Sequence, residues 1–293
     1  MRGSPGNRRF YRDCEINERR ENHMNEIDSK IIEYYTIRSE SERLNGLSIE
    51  KLRTQELICR HLPSGNLKIL DIGGGAGVYS FWLREMGHSV HLVDAMEKHV
   101  QQAREYSTKF GIELETIQVG DARELTFVDE SFDIVLMLGP LYHLTEQDDR
   151  IKALVEAKRV LKPNGLVITA VISRYSSMMD GYYYNLVQDP EFIEIMNQDI
   201  TNGQHRGVSG KHYFTTSYFH LPEDLESELS EAGFTSIKVV AIESFADSIS
   251  DLGEKLEDLN YRKNLYQTIT RVEQDRSILG ISPHIMGIGL KTV

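Results

Sequence analysis

Apolar positions along this chain follow two alternating rhythms. Short, nearly unbroken aliphatic runs have the character of buried strands, and longer stretches place apolar residues three and four apart, the spacing of amphipathic helices. The strand-like runs are Lys68–Ile72, Ser89–Asp94, Leu114–Ala122, Ser131–Leu138, Leu166–Ile172, Ser236–Ile242 and Ile285–Lys291. Helical spacing fills Val78–Met86, Met96–Phe110, Asp148–Leu161, a stretch opening at Leu221-Pro222-Glu223-Asp224 and running to Ala232-Gly233, and most of Asp247–Arg276. Gly111 stands where a left-handed helix cap is expected, and Pro222 with its acids suits a first helical turn. Regular alternation of strand and helix predicts an α/β fold, a doubly wound, Rossmann-like sheet. The run Ser131–Leu138 is almost wholly apolar, as a central parallel strand covered on both faces must be.

The pattern divides the chain into five parts. Residues 1–24 are polar, carry charges of both signs and lack helical periodicity, so a disordered leader or tag is expected, with Met24 a candidate initiator and a nucleic-acid-binding arm the sharper alternative. Residues 25–64 place Ile27, Ile31, Ile32, Tyr35, Leu44, Leu47, Leu52, Leu57 and Ile58 on one face of successive helices, a helical cap. Residues 65–172 form the core of strands and helices, and 221–293 complete the sheet. Between them, 173–220 is too long for a simple connection. Its tyrosines (Tyr175, Tyr182, Tyr183, Tyr184, Tyr213, Tyr218) with Met178 and Met179 give it apolar area and a few polar handles.

Composition narrows the classes. A chain of 293 residues, 40% hydrophobic, can bury one large core and a small accessory region. Its formal net charge of −12 disfavours a broad nucleic-acid footprint, which needs clustered Lys and Arg. Cys14 and Cys59 stand far apart without metal-ligand spacing, so neither a disulfide framework nor a metal site is expected. No apolar run approaches the roughly 18 residues of a spanning helix, and no signal peptide is apparent. A cytoplasmic protein without nucleic-acid or membrane partners is expected, either monomer or homodimer.

The candidate chemistry starts where the first strand ends. Lys68–Ile72 runs into Gly73-Gly74-Gly75-Ala76-Gly77, and helical spacing resumes at Val78. Strand, glycine turn and helix N-terminus together bring backbone N–H groups close to a ligand. The dinucleotide fingerprint spaces its glycines differently: here Val78 stands where its last glycine would be, and Asp71 precedes the first glycine by two. The second strand ends in Asp94, twenty-three positions after Asp71, where a carboxylate can accept from both hydroxyls of a ribose, and Ala95 and Met96 can flank an adenine. The third strand ends in Asp121-Ala122, and the fourth leads through Leu138 to Gly139-Pro140-Leu141-Tyr142-His143.

The Asp-x-Gly-x-Gly-x-Gly pattern at Asp71–Gly77 resembles motif I of the class I S-adenosylmethionine (SAM) dependent methyltransferases, and the Lys162-Pro163-Asn164-Gly165 turn is similar to theirs as well. The likeness is to the small-molecule, UbiE-like group. It implies a mostly parallel seven-stranded sheet with the last strand antiparallel and a lid inserted after strand five that supplies the acceptor site. It further implies cofactor contacts from Asp71, Gly73, Gly74, Gly75, Gly77, Asp94, Ala95, Met96 and Leu138, with Asp121 accepting from the adenine amino group and the Ala122 N–H reaching a ring nitrogen. The N-terminal segment would lie over the cofactor, so that Tyr35 or Arg43 could meet its methionine carboxylate. The Asn/Asp-Pro-Pro-Tyr loop of nucleic-acid amino methylation and the Pro-Cys nucleophile of cytosine methylation are both missing after the fourth strand, which favours a small-molecule acceptor. The expected activity is transfer of a methyl group from SAM to O, N or S of a small molecule, leaving S-adenosylhomocysteine. His143 and Tyr142 are the catalytic candidates, His212 a lesser one. His284, ahead of the last strand, could reach the pocket rim, although a strand-start histidine is ordinarily structural. An NAD-dependent oxidoreductase and a non-catalytic SAM-binding protein are the alternatives.

Overall fold

The apolar run after Ser131 becomes β4 (Phe132–Met137), where Phe132, Ile134, Val135, Leu136 and Met137 are all buried. It lies fourth in a seven-stranded sheet of order β3-β2-β1-β4-β5-β9-β8. The computed structural model of the chain describes residues 31, 34, 48–208, 211 and 213–292. β1 (Lys68–Ile72), β2 (Ser89–Asp94) and β3 (Thr116–Val119) extend the sheet to one side of β4, and β5 (Leu161–Ile172) begins the other. All these pairings are parallel. β9 (His284–Leu290) runs antiparallel to both β5 and β8 (Thr235–Ala241), as expected of the last strand.

Two apolar layers cover the sheet. One is built on Leu70, Val135, Leu154, Val171 and Leu229, the other on Leu57, Ile69, Leu83, Ile134 and Ile288. Helices supply their outer halves: α1 (Ile49–His61), α2 (Val78–Glu85), the single-turn α4 (Pro140–His143) and α5 (Gln147–Val160), while α3 (Glu97–Phe110) packs through Ala103 in a smaller cluster with Phe81 and Leu92. Ser48 caps α1 by accepting from the Lys51 N–H at 3.2 Å, and α3 stops at Gly111, whose φ of 66° is the left-handed conformation that a C-cap needs.

Local differences from the expected elements have simple causes. The Lys162–Gly165 turn is absorbed into β5 as an irregularity, because Asn164 takes φ 64° while the Asn164 N–H donates to the Lys291 carbonyl and the Lys291 N–H to that of Gly165. The third strand is shorter than its apolar pattern, since Gly120-Asp121 already turns away after the Gly120 N–H reaches the Asp94 carbonyl at 3.0 Å. Asp247–Arg276 is mostly helical, in separate pieces: a 3-10 turn over Ser244–Ser248, α9 (Leu252–Lys255) after α8 (Pro222–Glu231), and the 14-residue α10 (Leu259–Val272), followed by α11 (Arg276–Leu279).

Between β5 and α8 the chain forms α6 (Ser176–Tyr183), a 3-10 turn at Leu186–Gln188, α7 (Pro190–Asn202) and a two-stranded ribbon of β6 (Gln204–His205) and β7 (Ser217–Tyr218). A parallel bridge between Ser173 and His220 ties the ends of this segment together. Inside it, the buried Asp199 accepts from the Ser177 hydroxyl and lies 2.7 Å from His205 Nδ1, while His205 Nε2 is 3.1 Å from the Phe214 carbonyl. The segment is fastened to the core by Arg150, which lies over the Tyr218 ring and donates to Glu228 at 2.8 Å.

α1 is held by a second buried cation. Arg53 is fully buried and donates to Glu273 at 2.7 Å, to the Ile242 carbonyl at 3.2 Å and to Glu56. Arg53→Ala would leave Glu273 with Arg60 as its remaining cation and the Ile242 carbonyl without this donor, so the variant should be less stable by about 1–3 kcal/mol. A urea midpoint unchanged from the parent would refute this role.

Candidate active site

The carboxyl ends of the parallel strands meet at one edge of the sheet, and a cavity lies there. Its floor is the glycine turn. The Gly73 N–H donates to the Val93 carbonyl at 2.7 Å, bringing the turn down onto β2. Gly73 has φ 70°, and a Cβ there would stand 2.6 Å from Pro140, so only glycine lets the turn pass beneath α4. Gly75 has φ 57° with open space where a Cβ would project, and its N–H donates to Asp94 at 2.8 Å. α2 begins directly after Gly77 and takes no side-chain cap, which leaves its first N–H groups at the cavity rim beside Val78 and Tyr79.

Three acids project here from three strand ends. Asp71 is 1% exposed and accepts from the Ser80 hydroxyl at 2.6 Å. Burial pushes its carboxyl up to about 6, against the pull of the Ser80 hydrogen bond and with some help from the Asp94 charge. Asp94 binds the turn to the strand exit: beyond Gly75, it accepts from the Met96 N–H at 2.8 Å and faces His99 Nδ1 at 3.1 Å. A carboxylate has about four acceptor positions, so one remains after these three. Asp121 is more engaged than an adenine acceptor needs to be. Both its oxygens take the Arg123 guanidinium, which also reaches Asp149 at 2.8 Å.

The opposite wall is aromatic. Tyr142 and His143 lie on α4 rather than on an open loop, and both line the cavity with Leu138. Phe214, from the segment after β5, stacks on His143 at 6.0 Å between centroids and meets Tyr142 at 6.1 Å and Tyr34 at 5.3 Å. Desolvation lowers the His143 imidazole to about 4, although the Asp94 charge and a hydrogen bond to the Thr216 backbone favour its proton. His143 is therefore neutral at physiological pH and a weak proton acceptor.

Beyond α4 the cavity continues past Thr54, Ala170 and Ile242 to Glu50 and His284. His284 Nδ1 lies 2.6 Å from Glu243, and the His284 backbone N–H donates to the same carboxylate at 3.0 Å. The ligand atoms of Glu50, Glu243 and His284 all fall within 4.8 Å of one another, a donor set of the kind that holds divalent cations. Glu243, however, is already committed to His284 and to the Ser282 hydroxyl.

The expected positions Asp71, Gly73, Gly74, Gly75, Asp94, Ala95, Met96, Asp121, Ala122, Leu138, Tyr142 and His143 thus line one cavity. Gly77 caps α2 just outside it. Tyr35, Arg43 and His212 lie outside the described residues. Glu50, Thr54 and Glu243 were not legible as site residues in the sequence. Glu243 did carry a signal, because it follows the sixth sheet strand as Asp94 and Asp121 follow the second and third.

Asp71 supplies a test of the electrostatics. Its folded pKa lies above its unfolded one, so its contribution to stability falls as pH rises from about 4 to about 6, and the cost persists at higher pH. Asp71→Asn should therefore be more stable than the parent at pH 8, by up to about 3 kcal/mol, with the difference shrinking at pH 4. Urea unfolding at both pH values measures this, and a parent that is the more stable at pH 8 would contradict it.

Residues 69–165 match the family model described as a methyltransferase domain. The chain is 34% identical over 129 residues to a ubiquinone biosynthesis O-methyltransferase of Maricaulis maris, covering 42% of this chain and 49% of that protein. It is 32% identical over 142 residues to a glycine/sarcosine N-methyltransferase of Aphanothece halophytica, covering 44% and 53% respectively. The chain thus spans about half the length of these curated relatives. A SAM-dependent methyltransferase structure from Methanosarcina mazei shares the fold, with a TM-score of 0.54 at 19% identity over 81% of this chain and 97% of that one. Residues 69–165 are thus a methyltransferase domain by this match, and the glycine turn, the strand-end acids and the sheet order agree with the fold of SAM-dependent methyltransferases.

Proposed function

We propose that this protein transfers the methyl group of SAM to an O, N or S atom of a small molecule by direct in-line displacement, in the cytoplasm. The observation that carries this reading is the continuity of the cavity. It runs from the glycine turn and strand-end acids, past α4, to a separate polar end at Glu50 and His284. One end suits a cofactor and the other an acceptor.

The residues present fit SAM. The buried Asp71, beside the turn, suits the ammonium of the methionine part, and a cation there would favour its ionised form. Asp94 has capacity left for a ribose hydroxyl, and Ala95 and Met96 offer apolar contact to a base. SAM supplies an activated leaving group in its sulfonium, so the chain's own work is alignment and exclusion of water. Segment 173–220 supports that work by setting Phe214 against Tyr142 and His143, and we assign it the role of acceptor lid. The weak basicity of His143 fits a positioning role in this wall better than proton removal. Relatives acting on oxygen and on nitrogen leave both open as acceptor atoms.

Calorimetric titration tests the cofactor. SAM and S-adenosylhomocysteine should bind with Kd on the order of micromolar and NAD should not; tight NAD binding without SAM binding would sink the reading. Asp94→Ala should weaken SAM by roughly 1–3 kcal/mol, about 5- to 150-fold. At pH 6, SAM binding should release protons from Asp71, seen as a dependence of the binding heat on buffer ionisation enthalpy. This dependence should disappear in Asp71→Asn.

A further inference from the structure

The segment after β5 contains a buried ionisable pair that the site described above does not use. Asp199, near the end of α7, is fully buried, and His205, on β6, is 2% exposed. Both bonds to the carboxylate fall on one oxygen: Asp199 Oδ2 accepts from the Ser177 hydroxyl of α6 and lies 2.7 Å from His205 Nδ1, while Oδ1 has no partner among the described residues. The other side of the ring faces a different acceptor, the Phe214 carbonyl, 3.1 Å from Nε2. His205 pairs with Ser217 on β7, and a Cβ on Gly207 would stand only 2.9 Å from the Phe214 carbonyl, so the two arms run close together where the ring joins them. The arm that the ring holds is the one that meets α4. The Phe214 ring stacks on His143, and the Thr216 backbone hydrogen-bonds to the same imidazole.

These contacts fix the number of protons on the pair. A carbonyl oxygen only accepts, so Nε2 must carry a hydrogen for the bond to Phe214. The Asp199 contact needs a second hydrogen, whether it sits on Nδ1 or on the carboxyl. The pair therefore holds two protons in this geometry, in its simplest form an imidazolium beside a carboxylate, and a buried carboxylate with one bare oxygen gains from that charge. Loss of either proton sets two lone pairs against each other, at Asp199 or at the Phe214 carbonyl, and removes one of the two holds on the arm. The other charged or titratable groups around the ring act at one remove. Arg174 donates to the carbonyl of Phe219, whose ring stacks on His205 at 4.7 Å; Arg206 donates to the His205 carbonyl; and His143 lies beyond the Phe214 ring.

Resting on the methyltransferase reading above and on the lid role assigned to this segment, we propose that His205, held by Asp199, is the positioning residue of the acceptor wall: the doubly protonated pair holds Phe214 and Thr216 against His143, and with them the α4 face of the cavity. His205 does not itself line the cavity and acts through the arm it bonds. Its protons stay out of the methyl transfer. When the pair loses one, the wall loosens and acceptor binding weakens, while the cofactor end, tied by Asp94 to the glycine turn, keeps its shape.

The test uses the full chain labelled with 15N-histidine and 4-fluorophenylalanine, the His205 and Phe214 signals being assigned by comparison with His205→Gln and Phe214→Leu. At pH 6, long-range 1H–15N spectra should show a protonated Nε2 and a hydrogen-bonded proton at Nδ1. As the pH is raised to 9, the 19F signal of Phe214 should move with the same midpoint as the His205 ring, and should stay fixed if the pair keeps both protons; His143, neutral above about 4, adds nothing in this range. Asp199→Asn keeps an acceptor but removes the charge, so it should shift the shared midpoint down by at least about one unit or bring it into range. In parallel, S-adenosylhomocysteine formation is followed against a panel of phenols, thiols and primary amines. On the fastest acceptor at pH 8, Asp199→Asn should raise the acceptor KM about fivefold over the parent, the order of one lost hydrogen bond, with the SAM Kd held within about threefold. At pH 6 that KM ratio should return toward one, a rescue by protonation that a purely structural role would not give. A bare Nε2 in the parent at pH 6, or a Phe214 signal that stays still while His205 titrates, would overturn the assignment. Should Asp199→Asn fail to fold or no panel member be methylated, the parent spectra decide. Failure of the parent to bind SAM would remove the underlying reading, whereas SAM binding with a bare Nε2 would remove the positioning role alone.

Discussion

The hydrogen bonds of the Asp94 carboxylate join the parts that must act together. Its oxygens take the Gly75 N–H from the glycine turn and the Met96 N–H from the start of α3, with His99 alongside. One side chain thus fixes the turn against the exit of β2. The turn in turn passes under Pro140 at a distance that admits no Cβ on Gly73, which sets the position of α4 with Tyr142 and His143. Moving any of these pieces would move the others, because packed elements of this kind shift together rather than bend.

The sheet extends that arrangement to the other half of the cavity. Parallel strands deliver acids at their carboxyl ends, and reversal of β9 brings a histidine to the same edge from its amino end. Buried cations hold the two flanking pieces in place: Arg53 with Glu273 for α1, and for the segment after β5 the Arg150 guanidinium, paired with Glu228 and lying over the Tyr218 ring. Each stands between secondary-structure elements distant in sequence, where an apolar contact would slide more easily than a directional one. The cavity is therefore enclosed by elements fastened through their charges, outside the two apolar layers that stabilise the sheet.

Protonation divides the cavity into two environments. Near the turn, burial raises Asp71 and lowers His143, so both tend toward their neutral forms. At the far end, Glu243 stays ionised through its bonds to His284, and Asp180 and Asp247 are raised by burial and by neighbouring negative charge. A cationic ligand gains at the first.

The alternating periods and the residues at strand ends were sufficient to indicate a mostly parallel α/β sheet, a glycine turn and the acids Asp71, Asp94 and Asp121. These features are local: a strand, its turn and the next helix lie adjacent in the chain, and the spacing among Asp71, Asp94 and Asp121 follows from the length of one strand–helix repeat. Tertiary structure alone decided which of those groups are buried and that His143 is a weak base, because desolvation depends on neighbours from elsewhere in the chain. It also decided the pairing of Glu243 with His284 and the approach of Glu50. These residues are separated by 41 positions in one case and by most of the chain in the other, and only the pairing of β8 with β9 and the docking of α1 bring them to one wall.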